Sequence, residues 1–372
     1  MIFPMKSHSI LAPMFGPIGD SLMAIAFFDD ILRLDPHASF CMITRHNASI
    51  IADLAHAYQQ IEVRQIPSGF ASIPFFLKLL REPRTLVALG VAERYSLHLK
   101  MFFFIFGLCG NSTMGFGDLS SNEGKGWLPL GFVLPLVSDI PILQQYRALL
   151  LHLGFSAAEA ARIDSRPLHV LLRKSMPKSF PFKKGEYIVV HPFASSFLRT
   201  FSTRRWKSLL TAIVREHPGL SIIITGAEKD RTLAEDIVRA VPNAFAYVGS
   251  SIPMLEVAGI IDNAAFYIGV DTGITHLACV LGQKSIIISN NADWRWRPLY
   301  NPNARVVVNS RRCTCYSGEP CIVEDDGHLC YRCLCDITDE AMLASVRFAL
   351  SSQSRSIPNF GGWADENETT SR

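Results

Sequence analysis

At 372 residues the chain is too long for one ordinary core and suits two domains. With 49% hydrophobic and 19% charged residues it is neither disordered nor fibrous. A net charge of +3 is too small a bias to mark nucleic acid as a partner, though it is compatible with peripheral contact with the inner membrane. Residues 1–9 lack the apolar stretch of a secretory signal. The run 9–13 reads as a strand, 20–34 as a helix, and 39–44, 61–66 and 85–89 as further strands. The most apolar run, 101–110, is about half of the roughly 20 residues that cross a bilayer, and it reads as a buried helix. A cytoplasmic protein follows as the expectation, at most touching the cytoplasmic face of the inner membrane. In that reducing compartment nine cysteines point to metal sites or buried thiols rather than disulfides.

Residues 142–153 form another helical pattern before Gly154, and the basic, proline-containing stretch 165–185 marks a domain boundary. Domains are expected over 1–170 and 185–350, with a loose tail over 351–372. The second half is clearer. A strand over 187–191 precedes a loop and a helix from Thr203 to His217. That helix carries Trp206, Leu209, Leu210, Ile213 and Val214 on one face. Strands are expected at 220–225, 245–248, 266–270 and 285–289, so parallel α/β layers build both halves.

Three loops after those strands carry candidate chemistry. Gly269-Val270-Asp271-Thr272-Gly273-Ile274-Thr275-His276 follows an apolar strand and opens a helix, whose unpaired N–H groups favour phosphate. Thr272 and Thr275 offer hydroxyls there; the plainer reading is a cap at Asp271 or Thr272 with His276 packed. Arg199, Arg204, Arg205 and Lys207 surround the start of the Trp206 helix and could clamp a diphosphate, or be an ordinary solvated helix start. Glu228 follows the next strand, where it could accept hydrogen bonds from a ribose or cap a helix. In the first half, Gly16-Pro17-Ile18-Gly19-Asp20 lacks the third glycine of a dinucleotide fingerprint. Asp20 is either an N-cap or a general base.

These residues resemble glycosyltransferase family 9, the ADP-heptose:lipopolysaccharide heptosyltransferases and their relatives. The likeness is best over 187–302: residues 191–196, Arg204-Arg205-Trp206, 226–231, 270–276 with Leu281-Gly282, and 294–298. In the first half it rests on Gly19-Asp20 and the region 104–116 with Gly107, Gly115 and Phe116. The resemblance implies a GT-B fold, two Rossmann-like domains facing each other across a cleft, with the acceptor bound by the first and a nucleotide sugar by the second. It implies an inverting transfer without a catalytic metal, from a donor that is ADP-linked (heptose being the family's sugar) to a glycan or lipid-linked glycan acceptor. By position, Asp20 matches the base, Ser195 and Ser196 the hydroxyls near the donor phosphates, Arg204 the basic residue facing the diphosphate, and Glu228 the acid near the ribose. Asp271, Thr272, Gly273 and His276 match the donor loop. Cys313, Cys315, Cys321, Cys330, Cys333 and Cys335 are denser than the family pattern and read either as a structural zinc site or as reduced thiols. The rival readings are a nucleotide-sugar epimerase of similar fold and a non-catalytic scaffold built around the cysteine segment.

Overall fold

The computed structural model describes residues 8–82, 84–91, 97–117, 130–137, 140–164, 170–290, 296–298, 300–309, 321–325 and 327–351. The chain divides into two compact units, residues 1–166 with 170–173 and residues 167–169 with 174–372. Cys313, Cys315, Trp294 and the tail beyond Ser351 lie outside the described residues.

The first unit runs β1 (Ser9–Pro13), α1 (Ile18–Leu34), β2 (Ser39–Thr44), α2 (Ala48–Ala55), β3 (Ile61–Gln65), α3 (Ser72–Leu80), β4 (Thr85–Val91), α4 (Leu97–Leu108), β5 (Thr113–Gly117), β6 (Phe132–Pro135), α5 (Ile142–His152) and α6 (Ala157–Asp164). Its six strands form one parallel sheet in the order β3-β2-β1-β4-β5-β6. Helix α1 is buried along most of its length, because a run of Leu, Met, Ala, Ile and Phe covers nearly its whole circumference. Two carboxylates ride on it into the interior: Asp30 meets Arg147 of α5 at 2.8 Å, and Asp29 meets Arg33 at 2.7 Å. Burial pushes the Asp30 carboxyl up to about 6 against the pull of Arg147. Gly154, at φ +100°, supplies the left-handed turn that ends α5.

On the other sheet face α3 and α4 bury Leu79, Leu99, Phe102, Phe103 and Phe106 against Leu11, Leu86 and Ala88. The expected buried helix over 101–110 is therefore corrected. One face of α4 is core, but Met101, Phe104, Ile105 and Leu108 are exposed, Leu108 to 70%.

The second unit runs β7 (Tyr187–His191), α7 (Thr203–Glu216), β8 (Ser221–Ala227), α8 (Arg231–Ala240), β9 (Ala244–Gly249), α9 (Met254–Asn263), β10 (Tyr267–Val270), α10 (Gly273–Val280), β11 (Ser285–Ile288) and β12 (Ala304–Val307). A hairpin of β13 (Ile322–Asp325) and β14 (His328–Tyr331) follows, then α11 (Arg332–Cys335) and α12 (Asp339–Leu350). The parallel sheet order is β12-β11-β10-β7-β8-β9. Helix α7 starts where the Ser202 hydroxyl caps the Arg205 N–H at 3.3 Å, and it buries Trp206, Leu209, Leu210, Ile213 and Val214. Those side chains join Ile188, Val190, Ile222, Ile224, Ile268 and Ile286 in the core of this unit. Two layers of helices on an open parallel sheet, repeated twice, make the α/β architecture of the GT-B class.

Candidate functional site

Both sheets reverse their chain order beside a central strand, between β1 and β4 in the first and between β7 and β10 in the second. Loops leaving two such strands diverge and open a crevice at the carboxyl ends, where open α/β sheets bind ligands. Asp20 follows β1, the switch-point strand of the first unit. In the second unit Ser195, Ser196 and Arg204 follow β7, and Asp271, Thr272, Gly273 and His276 follow β10, its neighbour at the switch point. Glu228 follows β8, on the other side of β7. The topology thus brings every donor-loop candidate to one sheet edge.

The β10 loop is held from below. The Tyr267 ring lies across Gly269, whose added Cβ would sit 2.5 Å from Tyr267 Cζ, so only glycine fits. Tyr267 Oη lies 2.9 Å from Thr275 Oγ1, and that hydroxyl in turn donates to the Val270 carbonyl. Thr275 is fully buried and engaged. The expectation that its hydroxyl faces an anion is corrected: it locks the first turn of α10 to the strand. Thr272 is the N-cap of α10 in extended conformation, yet its side chain caps no N–H. The Thr272 hydroxyl is buried and makes no hydrogen bond among the described residues. His276 is also buried, with Nδ1 2.7 Å from the Tyr300 hydroxyl and Nε2 3.8 Å from Asp271 Oδ1. Burial lowers its pKa, against the pull of Asp271. His276 therefore ties α10 to Tyr300 and faces Asp271.

After β7, the Ser195 hydroxyl accepts from Arg199 at 3.1 Å, and Ser196 carbonyl closes a turn with the Arg199 N–H. The basic cluster separates by task. Arg205 donates to Asp339 and to the Cys335 carbonyl, with its guanidinium 3.9 Å above the Phe201 ring, so it fastens α7 to the C-terminal helices. Lys207 pairs with Asp236 at 2.7 Å. Arg204 is exposed and lines an open cavity of about 460 Å³ with Ser202, Thr203, Lys207, Asp236 and His328. Glu228 receives both Arg231 Nε and Nη2, at 2.6 and 2.9 Å, and that hydrogen-bonded guanidinium holds its carboxyl below the usual range. A ribose would have to share it with Arg231. His191, ending β7, lies 3.1 Å from Thr225 Oγ1, and burial lowers its pKa to about 4.

Asp20 is not the N-cap of α1. That position is Pro17, and Asp20 stands in the first helical turn with its N–H on the Pro17 carbonyl. Its carboxylate folds back over Gly16, where any added Cβ would collide with it. Asp20 is half-buried and stands at the switch point beside a helix start.

Of the cysteines, Cys330 and Cys335 are joined in a disulfide, contrary to the expectation of thiols alone. Strand β14 runs straight into the one-turn helix α11, and this reversal brings the two sulfurs together. Cys321 is half-buried and Cys333 buried, and the disulfide takes two of the six sulfurs that a zinc site would have used. Among the described residues no group of three or more His, Cys, Asp or Glu side chains is placed to hold a metal ion.

Sequence reasoning missed Tyr267 and Tyr300, which hold Thr275 and His276 of the β10 loop and α10. A bulky aromatic two residues before a glycine on one strand face was a readable signal for the first. Nothing local pointed to Tyr300, 24 residues beyond His276.

Two α/β units, each a parallel six-stranded sheet with its own switch point, define the GT-B fold. The chain matches glycosyltransferase family 9 (heptosyltransferase) over residues 102–325, more than half its length, and belongs to that family. It is similar to the solved structure of E. coli heptosyltransferase WaaC with ADP, at 15% identity and TM-score 0.62, covering 92% of this chain and 99% of that one. A second structure, E. coli WaaC with ADP-2-deoxy-2-fluoro heptose, aligns at 16% identity and TM-score 0.62 over 91% and 99% of the two chains. The UDP-GlcNAc 2-epimerase from Methanocaldococcus jannaschii shares the fold at 10% identity and TM-score 0.51, over 96% of each chain. No curated protein sequence matches the chain. No described helix is long and apolar enough to cross a membrane.

Proposed function

We propose that this protein is an inverting glycosyltransferase that moves a sugar, a heptose by family analogy, from an ADP-linked donor to a glycan or lipid-linked glycan. The observation that carries the donor site is the buried, unpartnered Thr272 hydroxyl at the N-terminus of α10, on the switch-point edge. A diphosphate oxygen there would complete the hydroxyl's hydrogen bonding and meet the first N–H groups of the helix. That E. coli WaaC has been solved with ADP and with a fluorinated ADP-heptose supports the choice of nucleotide and sugar. In this reading the second unit takes the donor and the first the acceptor.

The chemistry needs no metal in this proposal. The acceptor hydroxyl oxygen attacks the anomeric carbon, and its proton passes to the Asp20 carboxylate. The carbon–oxygen bond to phosphate breaks, and its electron pair leaves with the diphosphate. Developing charge on that group is offset by the α10 N-terminus, Thr272 and Gly273, with Ser195 and Ser196 on the loop after β7 and Arg204 in the first turn of α7.

The test is a thermal-shift panel of ADP, UDP and GDP. A nucleotide at 100 times its Kd should stabilise by roughly 2.7 kcal/mol. ADP is expected to be the strongest, and Gly273→Val to abolish its effect without unfolding the protein. Unchanged ADP stabilisation of that variant would move the phosphates elsewhere.

A further inference from the structure

The β13–β14 hairpin leans on the loop after β7. His328 Nε2 lies 3.1 Å from the Thr200 carbonyl, to which it must donate, and the Ser202 hydroxyl donates to Asp325 Oδ2 at 3.3 Å. Both residues that the hairpin touches fix that loop. The Thr200 hydroxyl donates to the Pro192 carbonyl and accepts from Trp206 Nε1 at 3.2 Å, so Thr200 ties the start of the loop to α7. Ser202 is the cap on which α7 begins. The turn they enclose carries Ser195 and Ser196, with Arg199 on the Ser195 hydroxyl.

The hairpin has little to hold it by itself. Each strand has four residues, and a two-stranded pair of that length is marginal in water. The segment that follows is fixed. Leu334 and Ile337 lie in the core of the second unit, and the Cys335 carbonyl accepts from Arg205 Nη1 at 2.9 Å. The Cys330–Cys335 bond is the covalent strut from β14 to that fixed end. Cys330 is fully buried, whereas Cys335, the last residue of α11, is half-buried. An attacking thiolate therefore reaches the strut at the Cys335 sulfur.

We infer that the Cys330–Cys335 disulfide is a redox-controlled clasp on the β7 loop, and that nucleotide affinity follows its state. An external dithiol supplies the electrons. Its thiolate attacks Cys335 Sγ, the S–S bond breaks, and the electron pair leaves on Cys330 Sγ, which takes a proton. The second thiol of the reagent then displaces Cys335 as a thiol, and the dithiol ends as a disulfide. The state of the clasp thus follows the dithiol–disulfide poise around the protein. Reduction frees the hairpin from α11, and Thr200 and Ser202 lose the partners that steady the loop. The nucleotide part of this inference rests on the donor site proposed above; the coupling of hairpin to loop does not.

The test compares the full chain oxidised with oxidised glutathione and reduced with dithiothreitol. Alkylation and mass spectrometry report the Cys330–Cys335 bond, hydrogen exchange reports the backbone over 197–206, and titration reports ADP affinity. The reduced form should exchange faster over 197–206 and bind ADP about tenfold more weakly, a loss worth about two net hydrogen bonds. Cys335→Ser should match the reduced form under both conditions. The inference is overturned if oxidation leaves Cys330 and Cys335 as thiols, or if exchange over 197–206 is the same in both forms. Equal ADP affinity of the two forms overturns it too, as does a redox response that survives in Cys335→Ser. ADP that binds neither form, with exchange still redox-dependent, would refute the donor site and bear out the coupling of hairpin to loop.

Discussion

Replacing Gly269 by alanine tests how the loop after β10 is held. The new Cβ would stand 2.5 Å from Tyr267 Cζ and 2.7 Å from Cε1, where carbon atoms need about 3.5 Å. The ring must therefore retreat by about 1 Å, yet Tyr267 is fully buried within a packed strand. Overpacking of this kind costs about 1–3 kcal/mol. A retreating ring also draws its hydroxyl away from Thr275, which leaves a buried polar group poorly paired at about 1–3 kcal/mol more. A loss of roughly 2–6 kcal/mol lowers the melting temperature of a unit this size by about 5–15 °C. Because Thr275 anchors the first turn of α10, ADP affinity should fall with it. Calorimetry and ADP titration read the two effects, and Tyr267→Phe, which removes the bond without the clash, should show only the smaller share. A Gly269→Ala protein that melts within about 1 °C of wild type and binds ADP normally would refute this account of the loop.

Asp20→Asn should reduce transfer by at least about 10²-fold while costing only the helix-dipole interaction of about 0.3–1 kcal/mol; initial rates and melting curves check both. Arg205→Ala should lower stability by about 2 kcal/mol by freeing α7 from Asp339 and the Cys335 carbonyl, with urea titration as the measurement. His191 has its pKa lowered to about 4, so between pH 6.5 and 4 the unfolded chain binds the extra proton and stability falls with pH. Relative to wild type, His191→Gln should therefore lose less stability over that window, by at most about 3 kcal/mol.

The strands and the amphipathic α7 were legible because their cores are written in local periodicity: the five residues picked for the buried face of α7 are the five it buries. The turn between β10 and α10 was legible as a short motif between a strand and a helix. Its chemistry was not fully so, since Thr272 and Thr275 look alike in sequence. Only the tertiary contact with Tyr267 turns one inward and leaves the other orphaned. The same limit applied to Asp20, where a proline took the capping position that an aspartate usually holds. It applied to α4 too, whose uniform apolar text hides which face the sheet covers. Pairing of Cys330 with Cys335 depends on the turn into α11, which spacing alone does not reveal.

The central claim is sugar transfer from a nucleotide donor bound at the β7–β10 edge, and donor turnover measured with and without acceptor tests it most directly. Purified protein is incubated with ADP-heptose, alone or with a heptose-deficient lipopolysaccharide acceptor, and the sugar products are followed by NMR. The account predicts little donor loss alone, rapid ADP release with acceptor, and a new glycosidic bond of inverted anomeric configuration. Release of free or epimerised sugar without acceptor would contradict it in favour of epimerase chemistry, and no turnover of a donor that binds would contradict it in favour of a scaffold.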